Sequence, residues 1–271
     1  MCNSKCNGNN FILQILISLI LTVYIFALTG CKTSSSNETE VDLSSFFSEK
    51  EGCAVFCKDN HFYVYKKDMI NVQESPCSTF KIFLTLAGLK FGVLKDENTM
   101  IKWDGIKRDF EFWNKDLTLK EAFSLSAGWW FRKVANDIGK EKLSYLVNEL
   151  SYGNCDTSGE IPFWVDSSIK ISPKEQVEFI KKIFNYELHS FSREHVEILK
   201  TAMQKGIING GKLYGKTGSS STNKNGWFVG AYEKGGKYLF CAVRLFSGQE
   251  ISGSTAEKIL RNIIEIKYSQ I

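Results

Sequence analysis

Strand-like runs stand near both ends of the chain, and this placement limits the possible fold more than any other feature of the sequence. Two runs rich in β-branched and aromatic residues, 53–57 and 61–66, lie near its start. Three more, 212–216, 226–232 and 237–245, lie near its end. Strands from both ends can pair in one antiparallel sheet, and the long stretch between them must then leave the sheet and return to it.

Helical patterns fill the middle of the chain. Three segments carry a serine or threonine followed three residues later by glutamate, which is a helix-start signature: Thr118 to Glu121, Ser172 to Glu175 and Ser254 to Glu257. The sequence therefore predicts a mixed α/β (α+β) fold, in which an antiparallel sheet built from both chain ends is flanked by helices. A helical lobe, at about residues 92–205, is inserted between the two ends. A cleft between lobes is a common place for a binding site.

The first thirty residues differ in composition from the rest of the chain. Residues 11–28 carry no charged side chain, Lys5 is the only charged residue before them, and small residues lead into Cys31. This pattern resembles a bacterial lipoprotein signal that is cleaved before Cys31, whose thiol would then carry lipid; an uncleaved membrane anchor is the alternative. Both place the remainder outside the cytoplasm, on a bacterial membrane. The expected boundaries are a signal at 1–30, a polar tether at 31–44 and one folded domain at 45–271.

Charge and metal-binding side chains argue against two classes of function. The formal net charge is +4, and the 34 basic side chains are scattered among 30 acidic ones, which predicts no nucleic-acid patch. With three histidines and no Cys-x-x-Cys pair, the sequence predicts no metal site. Three of the eight cysteines belong to the expected signal and lipidation site. The other five, mostly expected to be small core side chains with room for one disulfide, are Cys53, Cys57, Cys77, Cys155 and Cys241.

Ser78 and Lys81 are the first candidates for chemistry. They stand three residues apart in the run SPCSTFKIFL (75–84), where Pro76 fits the start of a helix, so the two side chains should face the same way. The apolar neighbours disfavour the charged form of the lysine and lower its pKa. A neutral amine beside a hydroxyl can act as a base and convert the serine into a nucleophile. The same spacing also occurs on ordinary amphipathic helices, so the pair alone decides little.

Further landmarks follow the serine and lysine in a set order. They are Ser126 in LSAGWWF, Tyr152-Gly153-Asn154, Phe163-Trp164 and Lys216-Thr217-Gly218. The order resembles that of the penicillin-binding proteins and serine β-lactamases, whose signatures include S-x-x-K and K-T-G. More narrowly, the chain resembles the class D, or oxacillinase-type, β-lactamases, in which the second motif is S-x-V, the third is Y-G-N and a tryptophan follows in an F-W segment. The likeness covers about residues 50–250.

The resemblance implies a modified lysine. In class D enzymes the lysine beside the nucleophile reacts with CO₂ to give an N-carboxylated side chain, and only a neutral amine can do so. Lys81 would therefore be the general base, with CO₂ or bicarbonate as its source and no other cofactor. The indole N–H of Trp164 would support the buried anion, which needs a hydrogen-bond donor.

The resemblance also implies roles for the other landmarks. Ser78 would attack the lactam carbonyl, and the backbone N–H groups of Ser78 and Ser219 would form the oxyanion hole. Ser126 and Lys216 would pass a proton to the departing nitrogen. Glycine at 218 would let the substrate approach the strand edge. The residues expected to bind substrate are Thr217, Gly218, Ser219, Tyr152 and Asn154.

Two departures from the class D pattern bear on function. Gly128 stands where the valine of S-x-V would help to shield the lysine, and Trp129, Trp130 or the phenylalanines nearby are candidates to replace it. The segment 250–258, EISGSTAEK, lacks the arginine that grips the substrate carboxylate in many members. Lys216, Thr217 and Ser219 are then left to hold that group.

Three functions are compatible with the sequence. The first is hydrolysis of β-lactams through an acyl-serine intermediate. The second is a β-lactam sensor or covalent trap with weak turnover, which Gly128 keeps open. The third is a cell-wall D,D-peptidase, against which the Y-G-N and F-W segments argue. The small-molecule substrate and the membrane are the expected partners, and the sequence does not indicate an oligomeric state.

Overall fold

A computed structural model describes residues 37–222 and 224–267, and within them one seven-stranded sheet organises the molecule. Its strand order is β1-β3-β2-β9-β8-β7-β6. A separate two-stranded sheet is formed by β4 and β5. The strands are β1 (Glu38–Glu40), β2 (Glu51–Lys58), β3 (His61–Tyr65), β4 (Met100–Ile101), β5 (Leu117–Thr118), β6 (Gln204–Ile208), β7 (Gly211–Ser219), β8 (Gly226–Lys234) and β9 (Lys237–Ser247).

Eight α-helices are formed by the described residues, and most of them follow one another between β3 and β6. They are α1 (Ser44–Phe47), α2 (Lys81–Lys90), α3 (Leu119–Ser124), α4 (Gly128–Ile138), α5 (Lys140–Glu149), α6 (Pro173–Phe184), α7 (Arg193–Met203) and α8 (Gly253–Ile266). Short 3₁₀ turns occupy Lys67–Met69, Cys77–Phe80 and Glu111–Trp113. The predicted mixed α/β architecture, with strands from both chain ends in one sheet, is confirmed.

The antiparallel pairing follows from the turn chemistry of the sequence. Asp59 and Asn60 take positive φ values of 49° and 63°, which brings Lys58 opposite His61 and closes the hairpin of β2 and β3. Gly235 and Gly236 do the same between β8 and β9, with φ values of 59° and 76°. Central strands β2 and β9 then pair antiparallel and join the two ends of the chain.

The edge of the sheet differs from the prediction. Strand β1 pairs with β3 in parallel, so the sheet is antiparallel except at this edge. The folded domain therefore begins near Glu38, inside the segment expected to be a tether. The physical reason is tertiary: the Glu38 carboxylate lies 3.0 Å from the Lys174 ammonium and 3.3 Å from that of Lys67, and its side chain is 5% exposed. Such distant partners leave no local sequence signal.

Each face of the sheet packs against helices. Alternation along β2 sends Cys53 and Val55 into the large core shared with α2 to α7, and Ala54 and Phe56 into the smaller core that α8 covers. Helix α6 lies against β2, β8 and β9, although it falls within the predicted helical lobe. The lobe is therefore less separate from the sheet than expected, because α6 supplies the apolar face that covers the central strands.

The helix-start signatures are confirmed at two of three positions. The side chains of Thr118 and Ser172 each accept a hydrogen bond from the backbone N–H of the glutamate three residues later. The side chain of that glutamate in turn accepts from the backbone N–H of the threonine or serine. The third is wrong: α8 is capped by Ser252, whose side chain accepts from the backbone N–H of Thr255. Ser254 lies inside the first turn instead, because Gly253 already begins the helix.

The expected signal at 1–30 and the lipidation site Cys31 lie outside the described residues. Across residues 37–222 and 224–267, no helix is both long and apolar enough to cross a membrane.

Candidate active site

Ser78 sits in a short 3₁₀ turn at the entrance to α2. The sequence predicts a helix from Pro76, but the turn Cys77–Phe80 is 3₁₀ and the α-helix begins only at Lys81. Cys77 has a φ of 50°, a left-handed conformation that costs energy for a residue with a side chain. This turn leaves Ser78 partly exposed while both neighbours are buried. The hydroxyl is therefore accessible to a small molecule.

Lys81 meets Ser78 as the spacing predicts. Its Nζ donates a hydrogen bond of 2.5 Å to Ser78 Oγ, and the Phe131 ring lies 5.6 Å from Nζ. The residue is 3% exposed. Burial lowers the pKa of Lys81 to about 7, with a small opposing effect of Cys77, because water no longer stabilises the ammonium. At neutral pH a large share of Lys81 is thus an uncharged amine beside the serine hydroxyl.

Strand β7 brings Lys216 to the same place. Its ammonium is 1% exposed, donates to the backbone oxygen and Oγ1 of Thr217 at 3.1 and 3.3 Å, and lies 5.7 Å from the Phe123 ring. Burial lowers the pKa of Lys216 well below its ordinary value, and the positive charge of Lys81 lowers it further. Because each charge disfavours the other, the two lysines are electrostatically coupled across the site.

Gly218 is required where β7 passes the nucleophile turn. A Cβ at this position would lie 2.9 Å from the Pro76 carbonyl oxygen and 3.1 Å from Thr79 Cγ2. The sequence interpretation assigned this glycine to the approach of substrate. The structure shows a different reason, since the space is taken by the turn that carries Ser78. A larger residue would push the strand away from the serine.

The outer edge of β7 is available beyond Tyr214. Within the described strands, β6 pairs with β7 only from Gly211 to Tyr214, whereas β8 pairs along the whole of β7 on the opposite side. The stretch from Lys216 to Ser219 thus offers backbone groups on its outer edge. Ser219 is exposed, and its Oγ accepts a 2.9 Å hydrogen bond from the backbone N–H of Gly253.

Ser126 follows α3 in a left-handed conformation, with a φ of 55°. Its neighbours in the chain contact both lysines: Phe123 lies against Lys216, and Phe131 lies against Lys81. The segment that carries Ser126 is therefore beside the Ser78 turn and β7, as the motif order predicts. Phe123 and Phe131 supply the apolar walls, a role for which the sequence offered the phenylalanines near Gly128 as candidates.

Gly128 does not leave an open gap. A Cβ there would lie 3.7 Å from the Trp113 indole, an ordinary van der Waals distance. The Trp113 N–H donates to the backbone oxygen of Leu125 at 3.0 Å, which holds the indole over this position. The indole N–H groups of Trp129 and Trp130 donate to the backbone oxygens of Trp113 and Leu117, while the Trp113 indole itself covers position 128.

Tyr152 and Asn154, both expected to bind substrate, differ in exposure. Tyr152 is 2% exposed, and its ring lies within 5.5 Å of the Phe80 and Phe83 rings, behind the nucleophile turn. Asn154 is exposed; it donates to the Ser168 oxygen at 2.9 Å and also accepts backbone N–H groups of its own loop. Tyr152 thus packs in the core, whereas Asn154 remains accessible from solvent.

Trp164 lies against the same aromatic group. It is 2% exposed and stacks on Phe80, the residue before Lys81, with a centroid separation of 5.3 Å. Two residues on, the Asp166 carboxylate accepts hydrogen bonds from the N–H and Oγ of Ser221, at 2.8 and 2.6 Å. The loop around Trp164 is thus fixed on one side to the nucleophile turn and on the other to the segment after β7.

Arg244 and Arg261, the arginines on either side of the segment 250–258, both have partners away from this cleft. Arg244 is 3% exposed, bonds to Asn225 Oδ1 at 2.9 Å and lies 5.4 Å from the Trp227 ring. Since Trp227 pairs with Gly218, Arg244 is one strand further from the serine. Arg261 on α8 bonds to its own helix and to β6. No group of His, Cys, Asp or Glu side chains suited to a metal ion occurs among the residues that the structure describes.

A serine hydroxyl bonded to a buried lysine of lowered pKa, beside a strand edge, is an arrangement typical of serine enzymes that form covalent acyl intermediates. Comparison with known proteins agrees. The profile of the penicillin binding protein transpeptidase domain matches residues 32–265. The chain is 34% identical to the probable β-lactamase YbxI of Bacillus subtilis (strain 168), covering 91% of this chain and 92% of that protein.

Two further relatives sharpen the placement. The crystal structure of a class D β-lactamase from Bacillus subtilis superposes with a TM-score of 0.80 at 35% identity, over 85% of this chain and 97% of the other. The regulatory protein BlaR1 of Bacillus licheniformis is 33% identical over 83% of this chain, which spans only 39% of that protein's length. The chain belongs to the penicillin-binding protein and β-lactamase family, and within it to the class D group.

Proposed function

We propose that the protein hydrolyses β-lactam antibiotics through a covalent acyl-enzyme on Ser78. The observation that carries this proposal is the 2.5 Å hydrogen bond from Lys81 to Ser78, made by a lysine whose pKa is lowered to about 7. A protonated lysine could not accept the serine proton, whereas a neutral amine or its CO₂ adduct can. The relatives named as β-lactamases support this substrate class.

Lys81 is proposed to act as an N-carboxylated lysine, with CO₂ or bicarbonate as the source of the carboxyl group. The residues present suit such a group. Burial keeps the amine neutral, which addition of CO₂ requires, and the Phe131 ring excludes water from one side. Trp164, placed one residue from Lys81 through its stacking on Phe80, is the proposed indole N–H donor to the anion.

The chemistry has two stages. Lys81 first removes the proton of Ser78, and the serine oxygen bonds to the lactam carbonyl carbon as the carbon–nitrogen bond breaks. The backbone N–H groups of Ser78 and Ser219 are the proposed donors to the developing oxyanion. Ser126 and Lys216 are the proposed route by which the departing nitrogen gains its proton. Lys81 then activates a water molecule, which releases the product from Ser78.

The substrate carboxylate is proposed to bind at the outer edge of β7. Thr217 and Ser219 offer hydroxyl groups there, Gly218 offers its backbone and Lys216 offers its amine, since Arg244 and Arg261 have partners elsewhere. Tyr152 is proposed to hold the nucleophile turn rather than to touch substrate, because it is buried against Phe80 and Phe83. Asn154 is exposed, and its proposed role stays in substrate binding.

The experiment that tests the function is steady-state hydrolysis of a chromogenic cephalosporin across a bicarbonate series. The proposal expects hydrolysis that rises with bicarbonate, most clearly at mildly acidic pH, where loss of CO₂ from a carboxylated lysine is favoured. The matched control is Ser78→Ala, which keeps the fold and removes the nucleophile. Absence of hydrolysis at every bicarbonate concentration would contradict the proposal.

A β-lactam sensor or trap is the second candidate. The observation that favours it is the likeness to the regulatory protein BlaR1 over most of this chain. Such a protein would acylate Ser78 and fail to release the product. Rapid formation of a covalent adduct that persists at saturating bicarbonate would place this candidate first.

The proposed location is outside the cytoplasm, with lipid on Cys31 holding the domain to a bacterial membrane. The support is the apolar run at 11–28 followed by small residues and a cysteine. Cys31→Ala is expected to block processing or to release the protein from membranes. Unchanged membrane association, with an unchanged mature N-terminus, would contradict the lipid anchor.

A further inference from the structure

Ser75 occupies a junction that the proposed mechanism does not use. It is 4% exposed and precedes the nucleophile turn by two residues. Its hydroxyl donates to the backbone oxygen of Trp164 at 3.0 Å and accepts from the backbone N–H of Asp166 at 2.9 Å. Its own backbone oxygen accepts the Trp227 indole N–H at 3.0 Å. One residue therefore connects the Trp164 loop, the central sheet and the turn that carries Ser78.

The Ser75 hydroxyl joins two backbone groups of the Trp164 loop, as a backbone hydrogen bond across a tight turn would. A serine hydroxyl has one proton to donate and two lone pairs, and here it pairs with an oxygen and an N–H on either side of residue 165. Asp166 itself has a φ of 48°, a left-handed conformation that needs outside support in a residue with a side chain. Ser75 supplies that support from inside the protein.

Among the described residues, no backbone hydrogen bond duplicates those that Ser75 makes to the oxygen of Trp164 and the N–H of Asp166. The Asp166 carboxylate already accepts from Ser221, and a cavity of about 570 Å³, lined in part by Ser75, Asp166 and Arg244, adjoins the junction. The loop therefore has space to shift when the hydroxyl is lost. Trp164, which stacks on Phe80, would shift with it.

We propose that Ser75 is a positioning residue of the active site, whose hydroxyl holds Trp164 at the Ser78–Lys81 pair by bridging the Trp164 loop to the nucleophile turn. This inference rests on the proposed function, in which Trp164 supports a carboxylated Lys81. Ser75 touches no reacting atom, so its loss should act through Trp164. The expected signature is a greater need for bicarbonate and a looser loop at 163–168.

The test compares Ser75→Ala with Ser144→Ala in the full-length protein. Ser144 is the matched control, because its hydroxyl also ties a helix to the same loop, through a 2.8 Å hydrogen bond to Thr157, but at the far end from Trp164. A net hydrogen bond corresponds to about a fivefold change in an equilibrium. Ser75→Ala is therefore expected to speed amide exchange at 163–168, and to raise the bicarbonate concentration for half-maximal turnover, by about fivefold each. Ser144→Ala should leave both near wild type.

A double-mutant cycle separates positioning from general weakening. If Ser75 acts through Trp164, Ser75→Ala should change the bicarbonate requirement by less than about twofold once Trp164→Ala is present. Full additivity, or wild-type exchange at 163–168 in Ser75→Ala, would overturn the proposal. Should Ser75→Ala not fold, Ser75→Cys, whose thiol bonds more weakly, is measured against the same expectations.

Failure of the proposed function gives a different result. If wild type acylates but shows no response to bicarbonate, the role of Lys81 is wrong while Ser75 remains under test. The readouts are then amide exchange at 163–168 and the rate at which penicillin acylates Ser78. Unchanged values of both in Ser75→Ala would overturn the inference, and a change in both that Ser144→Ala lacks would support it.

Discussion

Replacing Lys81 with methionine is expected to stabilise the folded protein while abolishing its activity. Methionine keeps much of the lysine's length and removes the ammonium, which is 3% exposed. In the unfolded chain this amine has a pKa near its ordinary value of 10.5, whereas burial lowers the pKa in the folded protein to about 7. Below pH 7 the folded protein must therefore bury a charged ammonium, which costs stability; between the two pKa values folding releases the proton, and the cost falls as pH rises.

The magnitude follows from the two pKa values. A lowering by about 3.5, at about 1.4 kcal/mol per pKa unit, corresponds to about 5 kcal/mol of lost stability at pH 6 and below. The cost shrinks as pH rises towards the unfolded pKa, and about 2 kcal/mol remains at pH 9. The charge of Lys81 also lowers the pKa of Lys216. Removing that charge should therefore raise the pKa of Lys216 in the folded protein and add to the gain in stability.

The assay is urea unfolding of wild type and Lys81→Met at pH 6 and pH 9, in buffer freed of CO₂. The free energy of unfolding of Lys81→Met should exceed that of wild type by about 5 kcal/mol at pH 6. At pH 9 this excess should be about 3 kcal/mol smaller. Lys95→Met is the control, because this lysine is exposed just beyond the same helix. An equal gain at both pH values, or a loss at pH 6, would refute the neutral-lysine reasoning.

Three further substitutions address the nucleophile and its surroundings. Ser78→Ala should give no covalent adduct with penicillin by intact mass and a near-wild-type melting temperature, since among the described residues the side chain bonds to Lys81 alone; an adduct would contradict the assignment. Gly128→Val should lower the bicarbonate concentration for half-maximal turnover, because its Cβ meets Trp113 at an ordinary distance and adds apolar cover; an unchanged requirement would count against shielding at this position. Gly218→Ala should slow acylation at least about tenfold, since its Cβ would lie 2.9 Å from the Pro76 oxygen. A wild-type rate would show that β7 can shift to accommodate the methyl group without displacing Ser78.

The parts of the fold that follow local rules could be predicted from the sequence. The hairpins of β2–β3 and β8–β9 are set by residues that tolerate positive φ, and α6 by Ser172 with Glu175. The contact of Ser78 with Lys81 is also local, since three residues of helical turn bring them together. Periodicity and turn chemistry act over a few residues, so the sequence displays them directly.

The parts that depend on distant contacts could not be predicted. Strand β1 owes its place to Glu38 pairing with Lys67 and Lys174, which are far away in the chain. Tyr152 is buried between Phe83 of α2 and Phe179 of α6, whose rings lie 5.5 and 5.0 Å from its own. The Y-G-N motif alone does not predict these contacts. Ser75 carries no local sequence signal of its role, because its partners are the backbone of a loop almost ninety positions later.

The central claim is that Ser78 is acylated and then released by a base that needs CO₂. The most direct measurement is intact mass over time, after mixing the protein with a penicillin in CO₂-depleted buffer and then adding bicarbonate. The account predicts an acyl adduct on Ser78 that persists before the addition and disappears, with hydrolysed product, after it. Equally fast loss of the adduct without CO₂, or an adduct that survives saturating bicarbonate, would contradict the account.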